Sequence, residues 1–228
     1  MRAQKKTVLI LGGRGDIGGA VCRRLKAEGY VVEAPASSEL DLSSKSSIDA
    51  YFSGNKREYC GVVHSAGYNE PKPHQLLTAS DIGRTLAVNT LGFFEVLRHV
   101  LPVMKRRGRG SIVAVSSLYG TFARPGRLAY VMSKHALNGL VKTLALELGP
   151  CGILINSVSP GFVDTRMTRK NNSAAVLKSF RDKIPLGRLA APSDIAYVVS
   201  SLLSPENRYV TGQDVVVDGG YCAGGFQK

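Results

Sequence analysis

A tyrosine and a lysine stand four residues apart in a helix-forming segment, Tyr130-Val-Met-Ser-Lys134. Residues with this spacing lie on one face of a helix, so the phenol and the ammonium are expected to be neighbours. A tyrosine hydroxyl titrates near pH ~10 when unperturbed, and a nearby cation stabilises the phenolate and lowers its pKa. Such a phenol can exchange a proton with a carbonyl or alcohol oxygen near neutral pH. By itself the pair is a weak signal, because a solvated helix face can show the same spacing.

A hydroxyl group is expected close to this pair. Ser117 ends the segment Ser111-Ile-Val-Ala-Val-Ser-Ser117, whose apolar centre is typical of a buried parallel strand. In parallel sheets, residues that act in catalysis gather beyond the carboxyl ends of the strands. We therefore expect Ser117, Tyr130 and Lys134 to lie together at one edge of a sheet.

The amino-terminal part of the chain has the pattern of a dinucleotide site. The apolar segment Thr7-Val-Leu-Ile-Leu11 runs into Gly12-Gly-Arg-Gly-Asp-Ile-Gly-Gly19 and then into a helical segment that ends at Glu28. Glycines permit a tight turn and close approach of a pyrophosphate to the backbone, and a helix amino terminus offers free N–H groups. An ordinary strand-to-helix turn can also be rich in glycine, but this context favours a cofactor site.

Apolar strand segments alternate with helical segments along the chain, which indicates an α/β fold with a doubly wound parallel sheet. Only residues 35–38 separate the second and third predicted strands, whereas a parallel crossover takes a dozen or more residues. The usual helix between these strands is therefore expected to be shortened or absent. We predict strands at 7–11, 30–34, 39–42, 60–65, 111–115, 153–157 and 214–217, and helices at 17–28, 46–53, 80–106, 128–149 and 192–203.

The chain resembles the short-chain dehydrogenase/reductase family, because further motifs of that family follow in the correct order. It is most similar to the 3-oxoacyl-acyl-carrier-protein reductases, on the segments 160–169 and 184–189. The resemblance implies a Rossmann-like single domain over residues 1–228, in which residues 165–190 cover the substrate. The further motifs are Asp41-Leu42, His64-Ser-Ala-Gly67, Asn89, Pro160-Gly161, Thr165-Arg-Met167 and Val217-Asp-Gly-Gly220.

The resemblance also implies an activity, the reduction of a ketone to a secondary alcohol by hydride transfer from a nicotinamide cofactor. The substrate would be a 3-oxoacyl thioester or, alternatively, a cyclic ketone, polyol or sugar of a biosynthetic pathway. Tyr130 would supply the proton, and Lys134 would lower the pKa of that phenol and bind the nicotinamide ribose. Ser117 would donate a hydrogen bond to the substrate oxygen. Asn89 would hold a water molecule of the proton relay. A protein that senses NADP(H) without turnover is the non-enzymatic alternative.

The residues that would bind the cofactor come from the same resemblance. An acidic residue after the second strand would bind the adenosine hydroxyls of NAD and repel a 2′-phosphate, but that position falls at Ala36. Arg14 and Ser37 can bind the phosphate, so NADP(H) is favoured over NAD(H) unless a shift in register brings Glu33 into the site. The complete set is Gly12, Arg14, Asp16, Ile17, Gly18, Ser37, Asp41, Leu42, Ala66, Gly67, Tyr130, Lys134, Pro160, Gly161, Val163 and Thr165.

Two residues depart from the family pattern. Asp16 stands where the family has its middle glycine, and we expect its carboxylate to point away from the pyrophosphate. His64 replaces an asparagine, and we expect it to be structural and not a general base. Leu118, Tyr119, Arg124, Tyr68 and Phe162 are expected to line the substrate site.

The composition is that of an ordinary globular chain, except that its formal net charge is +13 over 228 residues. Positive charge attracts anions, which favours a phosphorylated cofactor with a carrier-protein-bound or coenzyme A substrate, although it can also serve solubility. By resemblance, Arg107 and Arg169 match carrier-docking arginines. No nucleic-acid motif is present. The four cysteines lack metal-ligand spacing, so no metal site is predicted.

The absence of two kinds of segment predicts the cellular location of the protein. We find no apolar stretch of the ~20 residues that span a bilayer, and no secretory segment at the start. A cytoplasmic location without membrane or nucleic-acid partners is therefore expected. The resemblance implies a homotetramer.

Overall fold

The computed structural model describes residues 6–55 and 57–227, in which six parallel strands form one sheet. The strands are β1 (Thr7–Leu11), β2 (Val31–Glu33), β3 (Gly61–His64), β4 (Gly110–Val115), β5 (Ile153–Pro160) and β6 (Asp214–Val217), in the order β2-β1-β3-β4-β5-β6. The helices are α1 (Asp16–Ala27), α2 (Lys45–Gly54), α3 (Ala79–Leu86), α4 (Gly92–Arg107), α5 (Leu128–Leu148), α6 (Arg166–Lys170), α7 (Ala174–Lys183) and α8 (Pro192–Leu203).

Helices cover both faces of the sheet, because alternate strand residues point to opposite sides. Leu9 and Leu11 of β1 pack with side chains of α2, α4 and α5. Val8 and Ile10 of the same strand pack with side chains of α1 and α8. Burial on both faces explains why the strands are almost continuously apolar. The predicted Rossmann-like doubly wound sheet is confirmed.

The predicted third strand at 39–42 is wrong. The backbone N–H groups of Glu39 and Leu40 both donate to the carbonyl oxygen of Ala36 at 2.9 Å, so this segment forms a local turn. Leu40 and Leu42 are buried in the layer under α4, which accounts for their alternating apolar pattern. No helix lies between β2 and this segment, as expected, but the segment is not a strand, and α2 provides the connection from β2 to β3. Among the described residues, β2 is therefore the edge strand on this side.

The helix predicted at 80–106 is divided into three parts. Between α3 and α4, residues Ala87–Leu91 form a π-helical turn that contains Asn89. Such turns are inserted into α-helices frequently at functional sites. The sequence analysis missed this turn, because a single inserted residue shifts the apolar face by about 100° while the segments on both sides remain helical and apolar.

One helical run among the described residues, Ala79–Arg107, is long and apolar enough to cross a membrane by length and composition, with a mean hydropathy of 1.2. Charged residues interrupt this run at Asp81, Arg84, Glu95 and Arg98, so it is not a continuous apolar stretch of the length that spans a bilayer. Phe93, Val96, Leu97 and Met104 from this run are fully buried in the core. Packing against the sheet thus accounts for its apolar character.

Candidate active site

The carboxyl edge of the sheet brings the predicted residues together. Two cavities open there, one of about 310 Å³ beside the glycine turn and one of about 600 Å³ beyond the end of β4. We call them the adenosine cavity and the substrate cavity. Ser117 lines the substrate cavity, whereas Gly12, Arg14, Ser37, Asp41, Leu42 and Ala66 line the adenosine cavity.

The glycine turn packs tightly against the neighbouring backbone and leaves the amino terminus of α1 without a side-chain cap. Gly12 has a φ of 80°, and a Cβ atom there would lie 2.5 Å from the backbone nitrogen of Ala66. A Cβ atom on Gly18 would lie 2.3 Å from the carbonyl oxygen of Gly12. The cap residue of α1, Gly15, has no side chain that could bond the free N–H groups of the first turn. The residues present therefore fit a dinucleotide, whose pyrophosphate binds such N–H groups.

The adenosine cavity contains the residues that would select the phosphorylated cofactor. Arg14 and Ser37 both line it, together with Ala36. Glu33 is directed elsewhere, because its carboxylate accepts hydrogen bonds from Asn55 Nδ2 at 2.6 Å and Arg57 Nη1 at 2.7 Å. Asp41 is held by the hydroxyl of Ser43 at 2.7 Å, and this hydrogen bond lowers the pKa of Asp41. Ala36 therefore lies in the adenosine cavity as expected, and Glu33 does not.

Tyr130 and Lys134 do not themselves line the substrate cavity, but the phenol of Tyr130 interacts with the hydroxyl of Ser117, which does. Burial raises the pKa of Tyr130 to about 12, although the hydroxyl of Ser117 and the charge of Arg127 both lower it. Lys134 Nζ donates to the carbonyl oxygen of Val115 at 2.8 Å and lies 5.6 Å from the centre of the Tyr130 ring. In this structure burial outweighs the groups that lower the phenol pKa, and a lowering by Lys134 stays a prediction. Burial also lowers the pKa of Lys134 to about 7.

Asn89 makes its contacts from within the π-helical turn. Its side chain accepts from the backbone N–H of Tyr68 at 2.7 Å and donates to Ser133 Oγ at 2.9 Å. Its backbone carbonyl oxygen accepts from His64 Nε2 at 3.0 Å. These bonds hold Asn89 against the helix that carries Tyr130. A relay role for Asn89 stays a prediction.

His64 is fully buried and stacks on the ring of Phe93, with ring centres 4.6 Å apart. Burial lowers its pKa to about 3, so the imidazole is neutral and Nε2 carries the proton that it donates. These contacts support a structural role for His64.

Aromatic side chains form the walls of the substrate cavity. The rings of Phe162 and Phe180 stack with centres 3.8 Å apart, and Tyr221 meets Phe162 edge-on at 5.2 Å. The sequence analysis missed Phe180 and Tyr221. Val176 and Phe180 stand four residues apart on α7, and this spacing is the signal that could have revealed a cavity-facing helix.

Of the five residues predicted to line the substrate site, four line the substrate cavity and one does not. Leu118, Tyr119, Arg124 and Phe162 line the substrate cavity. Tyr68 does not line it, because its ring packs under the guanidinium of Arg84 at 4.3 Å.

Asp16 joins the glycine turn to the start of the predicted covering segment. Its carboxylate accepts hydrogen bonds from the backbone N–H of Arg166 at 2.6 Å and from Arg166 Nε at 2.9 Å. Arg166 Nη2 donates to the carbonyl oxygen of Arg14 at 3.0 Å. The carboxylate is thus engaged by α6, and the contact ties the glycine turn to the start of the predicted covering segment.

We expect Asp16→Asn to accelerate the release of NADPH about three- to tenfold. The loss of one exposed ion pair costs roughly 0.2–1 kcal/mol, and the weakened hydrogen bond to the backbone of α6 adds to that loss. A stopped-flow chase that follows NADPH fluorescence measures the release rate. Glu28→Gln, which removes the pair of Arg24 and Glu28 on α1, is the matched control. Equal release rates in parent and Asp16→Asn would show that the contact does not retain the cofactor.

Comparison with known sequences completes the assignment of the fold and its class. The profile of a family described as enoyl-(acyl carrier protein) reductase matches residues 5–222. This match covers nearly the whole chain. The chain belongs to the short-chain dehydrogenase/reductase family. The resemblance stated from the motifs is thereby confirmed, and this member is an NAD(P)-dependent oxidoreductase.

Among its relatives, the chain is similar to two proteins named 3-oxoacyl-[acyl-carrier-protein] reductase FabG. The Aquifex aeolicus protein is 35% identical over 217 residues, which are 94% of this chain and 86% of that protein. The Thermotoga maritima protein is 38% identical over 159 residues, which are 70% of this chain and 64% of that protein.

Solved structures of this reductase family superpose closely on the protein. A 4-hydroxyisoleucine dehydrogenase mutant complexed with NADH and succinate gives a TM-score of 0.91 at 29% identity, over 96% of this chain and 99% of that chain. ElxO with NADP bound gives a TM-score of 0.87 at 25% identity, over 96% of this chain and 100% of that chain. Both cofactor types therefore occur among structures with this fold.

Proposed function

We propose that the protein is an NADPH-dependent carbonyl reductase that converts a ketone, most simply a 3-oxoacyl thioester, into a secondary alcohol. The observation that carries this proposal is the cluster of three groups beside the substrate cavity: Ser117 lines the cavity and interacts with the phenol of Tyr130, and Lys134 Nζ lies 5.6 Å from the centre of the Tyr130 ring. The chain is proposed to act as one domain over residues 1–228, with residues 165–190 over the substrate.

In this proposal the reduced nicotinamide supplies a hydride to the carbonyl carbon, and the protein supplies the proton. A phenol with a pKa of about 12 stays protonated near neutral pH, so Tyr130 is available as the donor to the carbonyl oxygen. Ser117 donates a hydrogen bond to the same oxygen and stabilises the charge that develops there. Lys134 is proposed to bind the nicotinamide ribose, and Asn89 to support the proton relay.

Two features support the choice of cofactor. Arg14 and Ser37 face the same cavity, where a 2′-phosphate would find a guanidinium and a hydroxyl. No carboxylate occupies the position of Ala36 after β2, and Glu33 is held by its partners on and beyond α2. The remaining residues of the predicted cofactor set are proposed to contact the pyrophosphate and the nicotinamide, namely Gly12, Asp16, Ile17, Gly18, Asp41, Leu42, Ala66, Gly67, Pro160, Gly161, Val163 and Thr165.

The substrate can be identified with a panel of ketones. Because two relatives are named as 3-oxoacyl-carrier-protein reductases, we expect free and carrier-bound 3-oxoacyl thioesters to be reduced faster than cyclic ketones and keto sugars. Oxidation of NADPH, followed by its absorbance, measures each rate. The similarity to 4-hydroxyisoleucine dehydrogenase favours small polar ketones as the second candidate class. Failure of every ketone to be reduced would favour the cofactor-sensing alternative.

The arginines expected to bind a carrier are already paired within the protein. Arg107 contacts the carboxylate of Glu58, and Arg169 Nε donates to Asp164 Oδ1 at 2.8 Å. These carboxylates reduce the positive charge that each arginine presents to an acidic carrier. We therefore expect steering by the net basic surface as a whole and not by these two arginines alone.

We further propose a homotetramer, in which exposed apolar side chains form the contacts between subunits. Leu146 on α5 is 81% exposed and Val216 on β6 is 46% exposed. Light scattering should give about four times the chain mass of 24.4 kDa. A stable monomer at micromolar concentration would contradict this assembly.

The proposed compartment is the cytoplasm. All four cysteines, Cys22, Cys60, Cys151 and Cys222, are free thiols, which suits a reducing environment. No group of three or more potential metal ligands is found within residues 6–55 and 57–227.

A further inference from the structure

The substrate cavity carries positive charge with which no carboxylate among the described residues forms an ion pair. Among the described residues that line it, Arg124 and Lys183 are cations and none is acidic. The Arg124 guanidinium lies 5.1 Å from the centre of the Phe180 ring, and its Nη1 atom donates to Tyr119 Oη at 3.3 Å. Arg124 is thus held in place by neutral groups alone.

Three arginines on the surface form ion pairs with carboxylates, which Arg124 does not. Arg166 pairs with Asp16, Arg169 pairs with Asp164, and Arg188 pairs with Asp194, with N–O distances of 2.6–2.9 Å. Carboxylates thus neutralise these three arginines outside the cavity, whereas Arg124 inside it has the neutral neighbours Tyr119 and Phe180.

A third cation, next to the cavity, adds to this imbalance. Arg127 is only 6% exposed and precedes α5, the helix that carries Tyr130. Its guanidinium donates to two neutral oxygens, Asn69 Oδ1 at 3.1 Å and the carbonyl of Asn171 at 3.4 Å. A buried charge without a counter-charge is costly, and an anionic ligand in the adjacent cavity would offset that cost.

We propose that the ketone substrate itself carries an anionic group, a carboxylate or a phosphate, that binds Arg124 and Lys183 while its apolar part packs against Phe162 and Phe180. This inference rests on the proposed reductase function and specifies its substrate class. The anionic group belongs either to a small keto acid or to the phosphate-bearing arm of a thioester.

The test compares charged and neutral substrates that differ little otherwise. The first pair is 4-oxo-4-phenylbutanoate and its methyl ester, and the second is the acetoacetyl thioester of 4′-phosphopantetheine and that of pantetheine. We expect kcat/KM of the charged member to exceed that of the neutral member at least fivefold in one pair. The pair that shows the difference identifies the source of the anion. Ratios below fivefold in both pairs would overturn the proposal.

Variants assign this preference to the cavity. Arg124→Gln should bring the ratio of kcat/KM between the charged and the neutral substrate below threefold. The change should come mainly from a higher KM for the charged substrate, because a bidentate anion site is lost. Arg124→Lys should keep part of the preference. Arg106→Gln removes an exposed arginine outside the cavity and should leave the ratio unchanged. An Arg124→Gln variant that melts like the parent and keeps the parent ratio would overturn the proposal.

A binding measurement separates this inference from the proposed function. Titration calorimetry of the protein–NADPH complex with 4-oxo-4-phenylbutanoate and with the acetoacetyl thioester of 4′-phosphopantetheine detects an anion site even if neither compound is reduced. Binding that Arg124→Gln weakens at least fivefold, without turnover of any ketone, would support the anion site and contradict the reductase. No binding of either compound would overturn the anion site.

Discussion

Replacing Tyr130 with phenylalanine should lower kcat at least a hundredfold and leave the fold and NADPH affinity unchanged. The substitution removes only the hydroxyl that donates the proton, and a positioned general acid contributes typically ~10²–10⁴-fold to a rate. The ring would still fill its place beside Tyr119, whose ring centre lies 6.2 Å away. Steady-state kinetics measures the loss, and calorimetric titration with NADPH measures retained binding.

Tyr197→Phe provides the matched control, because this tyrosine on α8 is exposed and remote from the cavities. The control should keep the parental kcat. A kcat of Tyr130→Phe within threefold of the parent would contradict the assignment of Tyr130 as the proton donor.

NADPH should bind the parent protein more tightly than NADH, and Arg14→Ala should reduce that preference at least tenfold. The 2′-phosphate would lose a charge-assisted hydrogen bond worth roughly 1.5–3 kcal/mol, which corresponds to about a tenfold or larger change in the ratio of dissociation constants. Calorimetric titration with both cofactors gives the two constants. NADH has no such phosphate, so its affinity should change less.

Arg23→Ala controls for the general loss of positive charge near the glycine turn. Arg23 lies on α1 and does not line the adenosine cavity, so the preference for NADPH should persist in this variant. Equal affinities for NADPH and NADH in the parent protein would refute the assignment of the cofactor.

Local patterns were sufficient to predict most of the scaffold. The strand, glycine turn and helix from Thr7 to Ala27 form where they were expected, because apolar runs, glycines and a helical segment each act over a few neighbouring residues. The same holds for the approach of Ser117 to Tyr130, since parallel strands end at a common edge. Motif order along the chain was enough to indicate the family.

The segment 39–42 shows where local patterns fail. Two leucines separated by one residue suggest a strand, but strand formation also needs a neighbouring strand with free backbone groups. Here the backbone bonds to its own turn at Ala36, and Leu40 and Leu42 find burial under α4 instead. Only the packed structure decides between these two ways of burying the same side chains.

The chemistry of the site depends on residues that are far apart in the chain. The sequence by itself determined that a phenol and an ammonium share a helix face and that Asp16 stands at the start of α1. Tertiary structure decided that burial raises the pKa of Tyr130, that Asp16 binds Arg166, and that Arg124 faces a cavity without a carboxylate. The physical reason is that desolvation and ion pairing depend on the distance in space between groups, which spacing along the chain does not specify.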